Sequence, residues 1–328
     1  MPVIPGPDDV LAAAERLAPH VVTTPLLESP LLDARVGGRL LLKAEMLQRT
    51  GAFKWRGAMN RLLQLSDDER RRGVVAFSSG NHGQAVAAAA RRVGTSAVVV
   101  MPADAPRMKV DRTRAHGAEV VLYDRLRDDR EAIGRRLAAE RGLVLVPPYD
   151  DPMIAAGQGT LALEVARQAS GLGARLDAFL VPCSGGGLAA GCALALERES
   201  PGTEVYTVEP AGFDDMARSL AEGRRVENRA GGRSICDALL AAAPGEMTFE
   251  VNRPRLAGGL VVSDEQVLDA MAAAFDALKV VVEPGGAVAL AAALSGALDC
   301  RGKTVAVVLS GGNVDPETFA RALSRSPA

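Results

Sequence analysis

The feature that most constrains this chain is a regular alternation. Short, β-branched apolar runs are followed by alanine-rich stretches at helical spacing through most of its 328 residues. Parallel strands need long crossover connections, usually helices, so this alternation predicts an α/β fold built on parallel sheets. Strands are predicted at 40–44, 74–77, 97–101, 119–122, 178–181, 205–208 and 304–309. Helices are predicted over 8–17, 54–65, 83–93, 107–116, 128–141, 157–170, 188–199, 264–277 and 286–293. Several helices open just after a Gly/Ser/Asn turn, where unpaired backbone amides can hold an anion.

Composition narrows the function classes. A formal net charge of -2 gives no footprint for nucleic acid or for an anionic membrane surface, so a small neutral or zwitterionic ligand is the expected partner. The charges over 107–141 are interleaved at helical spacing and read as a solvated surface. Cys183, Cys192, Cys236 and Cys300 are too scattered for a metal site or a disulfide scaffold, and the N-terminus lacks a secretory pattern. A cytoplasmic protein without a membrane span is expected. Lysine is scarce, found only at 43, 54, 109, 279 and 303, while arginine supplies the other positive charges. A site that must lose its proton cannot use arginine, which makes each lysine a candidate.

Four short motifs can carry chemistry. In Thr50-Gly51-Ala52-Phe53-Lys54 a glycine turn leads into a helix that starts at the lysine. A helix N-terminus and a desolvated pocket both disfavour ammonium, as an imine-forming amine requires. Ser78-Ser79-Gly80-Asn81-His82 follows a predicted strand and opens a helix, so its hydroxyls and amides suit a carboxylate, and Asn81 a phenolic oxygen. Ser184-Gly185-Gly186-Gly187-Leu188 allows close backbone approach to a phosphate, with glycine spacing that matches neither a Walker loop nor a dinucleotide fingerprint. Ser310-Gly311-Gly312-Asn313 ends the last predicted strand, where Ser310 could meet a pyridine nitrogen. Taken singly, a surface lysine, a capped helix start and two plain turns would explain them equally well.

Taken in order and spacing, these motifs resemble the fold-type II pyridoxal-phosphate enzymes, the tryptophan synthase β-like group that includes threonine/serine dehydratases and serine racemases. The resemblance covers nearly the whole chain. It implies pyridoxal 5'-phosphate joined to Lys54, Phe53 packed near its ring, Asn81 on its hydroxyl, Ser184 to Leu188 around its phosphate and Ser310 at its nitrogen. It implies Lys54 as the base on one face of the substrate and Ser79 as the acid/base on the other, the serine that marks racemases. Ser78, Ser79, Asn81 and His82 become substrate-binding residues. Arg130 matches an arginine able to pair with a second carboxylate, as in 3-hydroxyaspartate, and Glu283 matches a residue of the loop at the cofactor's edge. Glu209, Asp215 and the Phe213 carbonyl resemble a magnesium, manganese or calcium site, although a solvated acidic turn would also explain the two acids.

The implied activity is dehydration of L-threonine or L-serine to a 2-oxo acid and ammonia. Racemisation of serine or 3-hydroxyaspartate is the alternative, and a non-catalytic pyridoxal-phosphate-binding protein a third. The implied architecture has a large lobe of residues 1–49 and 148–328, a small lobe of residues 50–147 that closes on substrate, and a homodimer.

Overall fold

The computed structural model describes residues 3–78, 80–105, 107–124, 127–229 and 231–325. The chain begins with α1 (Pro7–Leu17), β1 (Leu26–Leu27), α2 (Pro30–Val36), β2 (Arg39–Ala44), α3 (Lys54–Leu62) and α4 (Asp67–Arg72). It continues through β3 (Val74–Phe77), α5 (Asn81–Val93), β4 (Ala97–Pro102), α6 (Arg107–Ala115), β5 (Glu119–Tyr123), α7 (Arg130–Arg141) and β6 (Val144–Leu145). Next come α8 (Pro152–Gly171), β7 (Ala178–Pro182), α9 (Gly187–Glu199), β8 (Glu204–Pro210), α10 (Asp215–Glu222) and α11 (Glu246–Asn252). Last are β9 (Gly258–Val262), α12 (Asp264–Leu278), α13 (Pro284–Leu294), β10 (Thr304–Leu309) and α14 (Pro316–Leu323).

The strands form two sheets. One runs β1-β2-β10-β7-β8-β9 and the other β5-β4-β3-β6. Every pairing is parallel except β1 against β2, an antiparallel edge outside the predicted pattern. Both sheets are covered on both faces, which explains why their strands read as continuous apolar runs. Leu40 and Leu42 enter one core with Val305 and Val307, whereas Leu41 enters the opposite core with Ala306 and Val308. In the smaller sheet Val74 and Ala76 face the side of α3 and α5, and Val75 and Phe77 face α7.

α3 joins the two layers, touching α8 and α1 on one side and α5 on the other. It is anchored by a buried ion network. Arg56, with no exposed surface, donates to both oxygens of Glu45 at 2.8 Å and to both of Glu164 at 2.7 and 3.0 Å. Lys43, also fully buried, donates to Glu164 at 2.6 Å, to Gln168 at 2.9 Å and to the Thr24 carbonyl at 2.7 Å. Among the described residues no helix is long and apolar enough to cross a membrane.

Candidate active site

The loops that leave the carboxyl ends of β3, β7 and β10 converge, as ligand-binding loops do in open α/β sheets. With the turn before α3 they surround a cavity of about 400 Å³ lined by Phe53, Lys54, Ser78, Asn81, His82, Ser184 to Leu188, Glu283 and Ser310. Residues far apart in sequence meet because the turn before α3 is stitched to the β10 loop. Phe53 N donates to the Ser310 carbonyl at 3.0 Å, Gly312 N to the Gly51 carbonyl at 2.9 Å, and Ala52 bridges to Gly311. The turn needs two left-handed residues, Thr50 at φ 61° and Gly51 at φ 74°. Thr50 has a side chain, so it holds that conformation under strain that its surroundings must impose.

Lys54 Nζ donates to the Pro148 carbonyl at 2.6 Å and lies 5.1 Å from the Phe53 ring centroid. No carboxylate pairs with it among the described residues, and burial lowers its pKa to about 8. A substantial fraction of this amine is therefore neutral near physiological pH, unlike an exposed lysine.

Across the cavity, Asn81 begins α5 and donates to Glu283 Oε1 at 2.5 Å. Burial raises the Glu283 pKa to about 7, with Asp237 adding to the rise and the Asn81 hydrogen bond opposing it. His82 Nε2 lies 2.9 Å from the Val146 carbonyl, which can only accept, so the proton sits on Nε2 and Nδ1 is a buried acceptor without a partner. Burial, followed by the Lys54 charge, lowers its pKa to about 3, leaving a neutral ring. Ser78 Oγ accepts from Gly80 N at 3.3 Å. Ser79 lies outside the described residues.

The triple-glycine loop is held from behind. Thr248 Oγ1 donates to the Gly185 carbonyl at 2.6 Å and Asn252 Nδ2 to the Gly186 carbonyl at 3.1 Å, both from α11. Ala241 N donates to Ser184 Oγ at 3.1 Å. Carbonyls directed backwards leave the first amides of α9, with the positive end of its dipole, at the cavity wall. A Cβ on Gly185 would meet the Tyr149 ring at 2.3 Å, and Gly186 sits at φ 92°. Gly185→Ala is expected to cost about 1–3 kcal/mol through overpacking. A thermal melt indistinguishable from that of the parent protein would contradict this packing.

Arg130 starts α7 and lies exposed at the cavity's edge, next to Asp128 and Asp129. The candidate metal ligands lie on a separate turn. Glu209, fully buried, accepts from Met216 N at 3.0 Å and Ala217 N at 2.8 Å, which makes it a cap for α10. Asp215 accepts from Asn228 Nδ2 at 2.5 Å through Oδ1, while its Oδ2 is buried without a partner. Among the described residues no group of three or more His, Cys, Asp or Glu side chains could hold a metal ion, so any site here needs backbone oxygen as well.

Several participants carry no strong sequence signal. Pro148 and Tyr149 lie in a loop whose only readable feature is Asp151, the N-cap of α8. Thr248 and Asn252 belong to a seven-residue helix without a side-chain cap. Lys109, on α6, pairs at 2.6 Å with Asp237, which lines the cavity, a contact that only the folded chain reveals. Asn313 stands in a readable motif, but its sequence context gives it no role.

The described cavity fits an aldehyde cofactor with a phosphate: a buried amine without a counter-ion at one end and helix N-terminal amides at the other. A family profile described as pyridoxal-phosphate dependent enzyme matches residues 17–311. L-threo-3-hydroxyaspartate ammonia-lyase of Saccharomyces cerevisiae is 43% identical, covering 98% of this chain and 97% of its own length. Serine racemase of Schizosaccharomyces pombe is 39% identical over 98% of both chains. Maize serine racemase superposes with a TM-score of 0.91 at 37% identity, covering 98% of this chain and 97% of that one. The T.th. threonine deaminase gives 0.89 at 47% identity, covering 95% of this chain and 99% of its own. Because the family match spans every residue that lines the cavity, from Phe53 to Ser310, the chain belongs to the pyridoxal-phosphate dependent enzymes.

Proposed function

We propose that this protein is an ammonia-lyase that dehydrates a small hydroxy-amino acid to a 2-oxo acid, with Lys54 as the residue that carries the cofactor and moves the α-proton. The observation that carries this reading is the Lys54 amine, buried with no acidic partner among the described residues in a cavity that three glycine-containing loops also line. Pyridoxal phosphate, when bound, supplies the electron sink for the substrate's α-carbon. Everything else falls to the chain. Ser184, Gly185, Gly186, Gly187 and Leu188 receive the phosphate, Phe53 flanks the ring, and Ser310 faces its nitrogen with a neutral hydroxyl. Asn81 directs a donor at the phenolic oxygen beside Glu283. Ser78, Ser79 and the backbone amide of His82 receive the substrate carboxylate, and the neutral fraction of the Lys54 amine accepts the proton at the α-carbon.

Arg130, at the cavity's edge, supports a substrate with a second carboxylate, and a relative named for L-threo-3-hydroxyaspartate is 43% identical to this chain. The assay therefore compares L-threonine, L-serine and L-threo-3-hydroxyaspartate, following oxo-acid release and product chirality. Oxo acid and ammonia from at least one of them are expected. Cofactor-loaded protein inert toward all three would sink the proposal. Racemisation is the second reading, supported by the resemblance of Ser79 to the racemase serine and by the likeness to maize serine racemase. Inversion lost in Ser79→Ala while elimination persists would establish it.

Glu209, Asp215 and the Phe213 carbonyl are proposed to hold Mg²⁺, Mn²⁺ or Ca²⁺, because the orphaned Asp215 Oδ2 is an oxygen acceptor suited to a hard cation. Millimolar divalent cation is expected to raise the melting temperature of the parent and not of Asp215→Asn; equal shifts in both would exclude the site. Residues 50–147 are read as the lobe that closes on substrate, and the assembly as a homodimer in the cytoplasm.

A further inference from the structure

We infer that Asn313, which does not line the cavity, is a positioning residue that fixes which way the Asn81 amide faces. The inference rests on the proposed placement of pyridoxal phosphate against Asn81. Asn313 Nδ2 lies 2.8 Å from the Thr50 carbonyl and 2.8 Å from the Asn81 side-chain oxygen. A backbone carbonyl can only accept, so the Asn313 atom facing Thr50 must be its nitrogen. That nitrogen has two hydrogens, and the second requires an acceptor on Asn81. Asn81 therefore turns Oδ1 toward Asn313 and Nδ2 toward Glu283, to which it donates at 2.5 Å. One Nδ2 hydrogen of Asn81 remains, and Asn81 lines the cavity. The amide is thereby held as a donor toward a bound oxyanion.

The relay also explains two features of the turn before Lys54. Gly51 faces Asn313 so closely that a Cβ there would lie 2.7 Å from its side-chain oxygen. Thr50, strained at φ 61°, presents the carbonyl that orients Asn313. One side chain thus links the lysine turn, the end of β10 and the first turn of α5. Without it the amide is free to invert. The inverted state would set Oδ1 against Glu283, which tolerates it only when protonated, so the loss of Asn313 makes the orientation depend on pH near neutrality.

Asn313→Asp keeps the shape and removes both donors. In that variant, pyridoxal phosphate is expected to bind about tenfold more weakly, the loss of one oriented hydrogen bond, with a visible absorbance band whose pH dependence differs from the parent's. Asn81→Ala should lose the same interaction, so Asn81→Ala/Asn313→Asp should bind no more weakly than Asn81→Ala alone. Asn313→Ala should reproduce the altered pH dependence without a new charge. Additive losses in the double variant, or affinity and band within twofold of the parent in both single Asn313 variants, would overturn the inference. A parent protein that takes up no cofactor on Lys54 would instead overturn the proposed function.

Discussion

Replacing Lys54 by alanine is expected to abolish turnover, by about 10⁴-fold or more, and to remove the near-visible absorbance of cofactor-loaded protein while leaving the fold intact. The amine has two tasks, holding the cofactor and moving the α-proton, and general acid–base transfer alone contributes roughly 10²–10⁴-fold. No second amine can substitute, because Lys43 is locked beneath Glu164 and Lys109 is paired to Asp237. The fold should survive because burial already penalises the charged form, as the lowered pKa records. The folded pKa, about 8, lies below the ordinary lysine value of 10.5, so the unfolded chain binds more protons in between and stability rises with pH across that window. Lys54→Ala should flatten this slope. The same pKa makes cofactor uptake by the parent apoprotein accelerate as pH rises toward 8 and then level off, because the neutral amine is the attacking form. Stopped-flow absorbance against pH checks this, and a flat profile from about pH 6 to 9 would contradict it.

Arg56→Ala should instead act on stability, and severely. The substitution leaves Glu45, which has no exposed surface, and the largely buried Glu164 without the guanidinium that donates their four short hydrogen bonds. In the parent the Glu45 carboxyl is held below its usual range: burial, the largest single influence, would raise it, but the Arg56 charge and hydrogen bonds, with help from Thr24 and Lys43, together outweigh it. Breaking such a pair by removing one partner costs about 3–5 kcal/mol, which for a chain of this length predicts a fall in melting temperature of roughly 4–7 °C. Arg56 lies half a helical turn from Lys54, so cofactor affinity should fall with it. Arg56→Lys should recover only part of the loss, since an ammonium cannot pair bidentately with two carboxylates. A melting temperature within about 2 °C of the parent for Arg56→Ala would mean the network contributes little.

The doubly covered sheets explain what was legible in the sequence. Strands buried on both faces are uninterrupted apolar runs, and all seven predicted strands form part of the two parallel-sheet lobes of the fold-type II architecture. β1 and β6, at two residues each, are too short to show a period, and β9 begins with two glycines. α4 is entirely charged and lacks an apolar stripe, although the Ser66 and Glu69 capping box marks its start. α8 begins at Pro152, ahead of its predicted start, because Asp151 caps it and Pro152 occupies its first position. The cavity was legible because the lining loops after β3, β7 and β10 punctuate strand ends with glycine and hydroxyl residues. The support behind it was not. Thr248, Asn252 and the Pro148 carbonyl act through contacts that only tertiary packing creates, and the buried partnership of Lys43, Glu45, Arg56 and Glu164 unites residues that each look like ordinary surface charges in sequence.

The central claim, that the Lys54 amine carries the cofactor's aldehyde carbon, can be tested on the chain's five lysines directly. Cofactor-loaded protein is treated with borohydride, digested and mapped by mass spectrometry. The account predicts one pyridoxyl-phosphate adduct, on Lys54, in near-stoichiometric yield. An adduct on Lys43, Lys109, Lys279 or Lys303 with Lys54 unmodified, or no adduct at all, would contradict it.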